Sequence, residues 1–88
     1  MLYHRIEFTK DFTKQFKKLR NNQKERFYER LELFKKNPHE RVLRDHALKG
    51  KYKGYRSIDI ESDLRALYYV HEDTIVIFGF IGTHSQLY

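Results

Sequence analysis

The chain has 88 residues, no cysteine, and 18 Lys and Arg against 12 Asp and Glu, so its net charge is +6. This length predicts a single domain over residues 1–88, and the lack of cysteine excludes disulfides and thiolate zinc sites and fits a reducing cytoplasm. No apolar run approaches the roughly 20 residues of a membrane span, and the N-terminus lacks the apolar stretch of a signal peptide. The charge favours a nucleic acid or an acidic protein as partner, although a merely soluble basic domain would also carry it.

The first elements are predicted to be a strand and a helix. Apolar and polar residues alternate over residues 2–8, which is the period of a strand with one buried face. Thr9 is a candidate helix cap, and Asp11 lies close to the positive N-terminal end of that helix. Phe12, Phe16 and Leu19 recur at the helical spacing i, i+4, i+7. The polar residues 20–22 are expected to end this helix.

A second helix is predicted to follow after this short link, which makes the two helices an antiparallel pair. Asn22 and Glu25 resemble a capping box at its start. Its apolar residues recur at helical spacing from Phe27 to Phe34. Pro38 ends it, because the residue before a proline avoids the helical region.

The second half of the chain is typical of strands. Residues 38–54 are irregular and basic, and they are followed by strand patterns at 55–60, 64–70 and 74–81 with short turns between them. The last pattern is almost entirely apolar, which indicates a central strand covered on both faces. Gly79 within it indicates a bulge or a close approach of another chain segment.

The order of these elements predicts an α+β fold, β-α-α-β-β-β. In this arrangement the strands form one antiparallel twisted sheet, and the helix pair packs on one face of it. The opposite face of the sheet is then partly open and concave, because sheets twist.

Several side chains with chemical potential are expected on this open face or at its rim. They are His46, Ser57, Asp59, Asp63, Arg65, His84 and Tyr88. Such a set suits metal-free cleavage of RNA, in which the ribose 2′-OH attacks the adjacent phosphate. Histidine can take up or release the protons near neutral pH, and arginine or lysine can balance the charge that develops on the phosphate.

Each of these residues also has a purely structural interpretation. Asp59 and Arg65 could form an ordinary cross-strand ion pair. His46 could be a solvated loop residue, and Asp63 could hydrogen-bond backbone amides in a turn. His84 could cap a turn, and the final residue, Tyr88, could close the core. From the residues alone, a ribonuclease is one hypothesis among several.

Two sequence motifs narrow the choice among these functional hypotheses. Residues 45–50 form D-H-x-L-x-G, and residues 82–88 form G-T-H-x-x-L-aromatic. Together with the order of elements, they resemble the YafQ-like branch of the RelE/ParE toxin superfamily over essentially the whole chain. The resemblance implies a type II toxin that cuts mRNA in the ribosomal A site and generally needs no metal or other cofactor. It also implies a cognate antitoxin that lays an acidic or amphipathic segment across the basic surface.

The resemblance also implies roles for individual residues. His84 matches the general acid, and His46 or Asp63 matches the base or an orienting group. Tyr88 matches a terminal aromatic residue that can stack on a base. The residues expected to hold phosphates are Lys49, Lys51, Lys53, Arg56 and Arg65.

The chain departs from the family pattern at two positions. Asp59 stands where YafQ itself has a third histidine, and Phe80 stands where many relatives have an arginine on the last strand. Asp59 could act as a base, and Arg65 could supply the missing positive charge from the neighbouring strand.

Two alternative functions remain open at this point. One is a ParE-like toxin that inhibits DNA gyrase without cutting RNA, although a pure binder has no need of His46 and His84. The other is a weakly catalytic homologue that mainly binds its antitoxin. Phe80 in place of the arginine leaves this hypothesis open.

Overall fold

The structure is a computed structural model that describes residues 5–88, so the start of the strand predicted over residues 2–8 lies outside the described residues. The strands are β1 (Arg5–Phe8), β2 (His46–Ala47), β3 (Arg56–Glu61), β4 (Leu64–His71) and β5 (Ile75–Thr83). The helices are α1 (Lys10–Lys17), α2 (Asn21–Lys36) and the four-residue α3 (His84–Leu87). Two short 3₁₀ turns, Arg41–Leu43 and Gly50–Tyr52, flank β2. The predicted α+β order is confirmed, with β2 and α3 as additions.

The five strands form one sheet in the order β1-β5-β4-β3-β2. The predicted antiparallel meander of β3, β4 and β5 is confirmed, and β2 also pairs antiparallel with β3. The prediction of an all-antiparallel sheet was wrong at one edge, because β1 pairs with β5 in parallel. The chain returns from the helix pair into β2, which runs opposite to β1. Three reversals follow, from β2 to β3, from β3 to β4 and from β4 to β5, so β5 runs in the same direction as β1.

Helix α1 completes the edge of β5 where β1 ends. Strand β1 stops at Phe8, while β5 continues to Thr83. The Thr9 hydroxyl donates to the Gly79 carbonyl at 2.8 Å, and the Ile81 N–H donates to Gln15 Oε1 at 2.8 Å. The Thr9 hydroxyl also accepts from the Phe12 N–H, which confirms Thr9 as the cap of α1. The same side chains thus start the helix and satisfy the strand backbone.

Helix α2 begins slightly earlier than the sequence predicted. Its first residue is Asn21, and the Arg20 N–H donates to Gln23 Oε1 at 3.0 Å. A glutamine three residues into the helix therefore supplies the reciprocal cap that was expected from Glu25. The helix ends at Lys36, before the extended Asn37 that precedes the proline, as predicted.

The main core lies between the helices and the sheet, and it is rich in aromatic rings. Phe27 contacts Phe78 edge to face, with ring centroids 5.8 Å apart, and Phe34 contacts Tyr68 in the same way at 5.1 Å. All four rings are fully buried. Large rings supply much of the buried area that so short a chain needs.

A bulge at Gly79 decides which residues of β5 face the core. Leu67 pairs with Phe80 and Tyr68 pairs with Phe78, so Gly79 is an extra residue on β5. Because a one-residue shift reverses the side-chain alternation, Phe80 points to the open face and the buried Ile81 to the core. A Cβ atom on Gly79 would lie 2.9 Å from Cε2 of Tyr55, which crosses the strand here. Both expectations for this glycine are confirmed.

Candidate active site

The open face of the sheet carries a pocket of about 290 Å³ beside the C-terminus of the chain. It is lined by Arg44, His46, Leu48, Ser57, Asp59, Arg65, Leu67, His84, Leu87 and Tyr88. The fold thus brings six of the residues singled out from the sequence into one cavity. These six are His46, Ser57, Asp59, Arg65, His84 and Tyr88.

Strand pairing places these side chains next to one another. His46 of β2 pairs with Ser57 of β3, which in turn pairs with Leu67 of β4. Asp59 and Arg65 form the neighbouring pair of β3 and β4. Directly opposed residues of neighbouring strands project from the same face. The floor of the pocket therefore has a row of His46, Ser57 and Leu67 and, beside it, the charged pair of Asp59 and Arg65.

The imidazole of His46 is held by a backbone carbonyl. Its Nδ1 lies 2.7 Å from the carbonyl oxygen of Arg44. A carbonyl oxygen can only accept, so Nδ1 carries a proton and Nε2 is the nitrogen that exchanges one. Arg44 presents this carbonyl from a left-handed conformation with φ of 48°. The neutral form of His46 thus has its basic nitrogen free to act.

Asp45 anchors the strand that carries His46. Its side chain is 4% exposed, and its two carboxylate oxygens accept from Arg56 Nε at 2.8 Å and from the Tyr68 hydroxyl. The hydrogen bond to Asp45 raises the pKa of the Arg56 guanidinium above its ordinary value. Asp45 therefore ties β2 to β3 and β4. Arg56, which the family resemblance suggested as a phosphate ligand, is engaged in this anchor and does not line the pocket.

Asp59 orients two arginines at the pocket. Its side chain is 16% exposed, with Oδ1 3.2 Å from Arg65 Nε and Oδ2 3.6 Å from Arg44 Nη1. Each carboxylate oxygen thus faces a different guanidinium. Sequence reasoning missed Arg44, and its only signal there was its position directly before the D-H motif. The contacts favour Asp59 as an orienting group over Asp59 as a base.

His84 is the first residue of α3 and lies at the rim of the pocket. Its backbone N–H donates to Asp63 Oδ1 at 3.4 Å, and its ring stacks on Tyr88 with centroids 4.8 Å apart. Asp63 does not line the pocket, so its contact with the site is through the backbone of this short helix. Thr83 caps the helix by accepting from the Gln86 N–H.

The last residues are fastened to the sheet. Leu87 is buried against Leu67 and Tyr52, and its carbonyl accepts from the Tyr52 hydroxyl at 2.6 Å and from Lys51 Nζ at 3.3 Å. Gly82 permits this return of the chain, because a Cβ there would lie 3.3 Å from the Cβ of Gln86. The C-terminus is therefore a wall of the pocket and part of a second, smaller core.

Tyr52→Phe is expected to lower the free energy of unfolding by about 1–2 kcal/mol, because it removes a buried hydrogen bond to the Leu87 carbonyl. Chemical denaturation of both proteins would measure this. Tyr28→Phe is the control, since the Tyr28 side chain is exposed on α2. Equal stability of Tyr52→Phe and the parent chain would show that the hydroxyl does not fasten the tail.

Phe80, which stands where relatives would place a charge, does not line the pocket. Its ring packs on Tyr52 and Tyr55, with centroids 5.5 Å and 5.7 Å away. Burial raises the pKa of Tyr55 above its ordinary value, and Tyr69 and Tyr52 raise it further. The remaining predicted phosphate ligands, Lys49, Lys51 and Lys53, are exposed and are not among the lining residues of the pocket.

Residues 5–88 contain neither a cluster of metal ligands nor a membrane-spanning helix. Within this range no group of three or more His, Cys, Asp or Glu side chains could hold a metal ion. None of the helices described is long and apolar enough to cross a membrane.

Solved structures of bacterial toxins share this fold. YafQ from E. coli is 28% identical, with a TM-score of 0.79 over 94% of this chain and 96% of that one. A copper-bound mutant toxin from Helicobacter pylori is 32% identical over the full length of both chains, with a TM-score of 0.71. The E. coli DinJ-YafQ toxin-antitoxin complex matches at 26% identity and a TM-score of 0.72, over 100% of this chain and 99% of that one. Among curated protein sequences, none matches significantly.

These likenesses define the class by its fold: the chain has the RelE-like α+β fold that YafQ also has. A family model described as "Bacterial toxin of type II toxin-antitoxin system, YafQ" matches residues 4–88. The chain therefore belongs to the YafQ toxin family, as its two motifs indicated.

Proposed function

We propose that this toxin is a metal-independent endoribonuclease that cleaves mRNA on the ribosome. The observation that carries the proposal is the shared pocket, in which two histidines face the same cavity as two guanidinium groups. Proton transfer and charge stabilisation are the two tasks of such a cleavage, and these side chains match both.

In the proposed reaction, the ribose 2′-oxygen attacks the adjacent phosphorus. His46 takes the 2′-OH proton on Nε2, since its Nδ1 is engaged with the Arg44 carbonyl. His84 in its protonated form gives a proton to the departing 5′-oxygen. The phosphorus–oxygen bond to that 5′-oxygen breaks, which leaves a 2′,3′-cyclic phosphate and a free 5′-hydroxyl. The proton count balances, because one histidine gains the proton that the other loses.

The guanidinium groups would stabilise the charge on the pentavalent phosphate. Arg65 and Arg44 border the pocket, and the carboxylate of Asp59 forms an ion pair with each of them. Two cations oriented by one carboxylate can approach phosphate oxygens with little further rearrangement. This arrangement supplies positive charge without the arginine that relatives carry at the position of Phe80.

The partners we propose are the mRNA-carrying ribosome and a cognate antitoxin. A net charge of +6 on 88 residues favours both ribosomal RNA and an acidic protein segment. The similarity to YafQ in a complex with DinJ supports the antitoxin as a partner. Tyr88, half exposed beside His84, offers a ring on which a base of the mRNA can stack.

The test is cleavage by the purified toxin on programmed ribosomes with EDTA present. One mRNA is all ribose, and a second carries 2′-deoxynucleotides through the A-site codon. We expect cleavage of the first mRNA only, with 2′,3′-cyclic phosphate ends on the upstream fragment. Persistent cleavage of the deoxy-substituted mRNA would contradict the 2′-OH mechanism, and loss of cleavage on EDTA addition would contradict metal independence once the ribosomes are shown to stay intact.

A further inference from the structure

We propose that Tyr55 and Tyr69 form a second RNA subsite, where a nucleotide away from the cleavage point stacks on the sheet. This inference rests on the proposed function, because the RNA that fills the pocket is the same strand that would reach the platform. We call the two tyrosines and the cleft beside them the tyrosine platform. The nucleotide class is single-stranded RNA of any base.

The platform lies on the open face, at the other end of β3 and β4 from Asp59 and Arg65. A cleft of about 260 Å³ is lined by Lys53, Gly54, Tyr55 and Tyr69. The two tyrosine rings meet edge to face, with centroids 5.2 Å apart and planes at 74°. Both side chains are partly exposed. A base can therefore reach a ring face that the surrounding structure already holds in place.

A chain of ring contacts joins the platform to the active site. Tyr88 contacts Tyr52 at 5.2 Å, Tyr52 contacts Phe80 at 5.5 Å, and Phe80 contacts Tyr55 at 5.7 Å. Arg65 and Tyr69 are four residues apart on one face of β4, which is about 13 Å of strand. Ring contacts thus run from one site to the other, and one short single strand can span the distance between them.

The charge on this path suits a phosphate backbone. The cleft is lined by one lysine and by no acidic residue. Lys51 lies between the platform and the tail, with Nζ 5.2 Å from the centroid of the Tyr52 ring. Gly54 has φ of 97°, and no atom lies within 4 Å of the position that a Cβ would take. The backbone there leaves room for a ribose and its phosphate.

Aromatic platforms flanked by cations bind single strands with little base preference, because every base has a stacking face. The tyrosine platform would therefore contribute affinity for the RNA and fix the position of the RNA strand on the protein. The choice of codon would depend on other contacts. It also gives position 80 a function: an aromatic ring there continues the stacking surface, where an arginine would interrupt it.

The test compares the affinity for two non-cleavable probes, a 2′-O-methyl adenosine dinucleotide and the matching hexanucleotide. The full chain is titrated into each fluorescein-labelled probe, and anisotropy gives the two dissociation constants. The parent chain should bind the hexanucleotide more tightly. Tyr69→Ala should reduce that gain by about five- to 100-fold, whereas Tyr69→Phe should keep most of it. Tyr69→Leu keeps apolar volume without a ring, so it should resemble Tyr69→Ala.

Tyr28→Ala is the matched control, because it removes an exposed tyrosine from the helix side of the molecule; it should leave both constants unchanged. Circular dichroism checks that all variants are folded. A parent chain that binds both probes equally, or a Tyr69→Ala chain that keeps the full gain, would overturn the platform but not the proposed function. Binding of neither probe by the parent chain would count against both. Unchanged RNA affinity with weakened antitoxin binding in Tyr69→Ala would assign the platform to protein docking and overturn the proposal.

Discussion

His84→Ala is expected to slow mRNA cleavage by about 10²- to 10⁴-fold, the usual contribution of a general acid or base. The ring lies at the rim of the pocket, stacked on Tyr88 and exposed to solvent. Its removal should change the free energy of unfolding by no more than about 0.5 kcal/mol, because exposed substitutions away from caps and cores cost little. The tail should stay in place through Leu87 and Tyr52. Cleavage on ribosomes and denaturant unfolding measure the two effects separately.

His46→Ala should have an effect of similar size for the same reason. If the two histidines act in one step, the double variant should be little slower than either single variant, because groups that work as a unit are not additive. His71→Ala is the control, since His71 is exposed at the end of β4 and lies outside the pocket. Full cleavage by the His46/His84 double variant would exclude both as proton carriers. DNA damage with intact mRNA in expressing cells would instead favour the gyrase-inhibiting alternative.

The order of elements followed from local patterns, and the pairing of the first strand did not. Strand and helix periods, the Thr9 cap and the stop before Pro38 are read from neighbouring residues, and each is present in the structure. The parallel pairing of β1 with β5 depends on the path that two helices take over the sheet. Strand β2 has only two residues and is held by side chains distant in sequence. A strand this short has no alternating apolar pattern from which it could be predicted.

Part of the candidate site was likewise predictable from the sequence, and part of it depends on tertiary contacts. His46, Asp59, Arg65 and His84 were expected together, and strand register brings them to one pocket. The placement of Arg56 could not be foreseen, because it depends on a buried carboxylate in a loop. Arg44 contacts the site through Asp59 and, by its backbone carbonyl, through His46. An irregular segment gives no rule for where its side chains point.

Phe80 illustrates how one residue of register changes an interpretation. From the sequence it marked a missing charge on the last strand. The bulge at Gly79 turns its ring to the open face, where it packs on Tyr52 and Tyr55 and does not line the pocket, and Arg44 is present in the pocket. The loss of an arginine at position 80 is thus compatible with a pocket that has two cations of its own.

Asp45→Ala is expected to destabilise the fold by about 2–4 kcal/mol and to lower cleavage as well. The substitution leaves the Arg56 guanidinium without its carboxylate and removes an acceptor from the Tyr68 hydroxyl inside the core. Breaking a fully buried pair costs about 3–5 kcal/mol, and the lower figure here reflects Arg56, whose side chain is 41% exposed. Because β2 loses its anchor, the imidazole of His46 should also lose its fixed position.

The measurement is denaturant unfolding together with ribosome cleavage at a temperature where every variant is folded. Asp45→Asn keeps an acceptor of the same shape and should fall between the parent chain and Asp45→Ala in stability. Glu25→Ala is the control, because Glu25 is an exposed acidic residue on α2. A double-mutant cycle with Arg56→Ala should show clear non-additivity, since the two residues share one interaction. If the two substitutions add, Asp45 and Arg56 act independently, and the anchoring of His46 must come from the Tyr68 hydroxyl or from the two ladder pairs of β2 with β3.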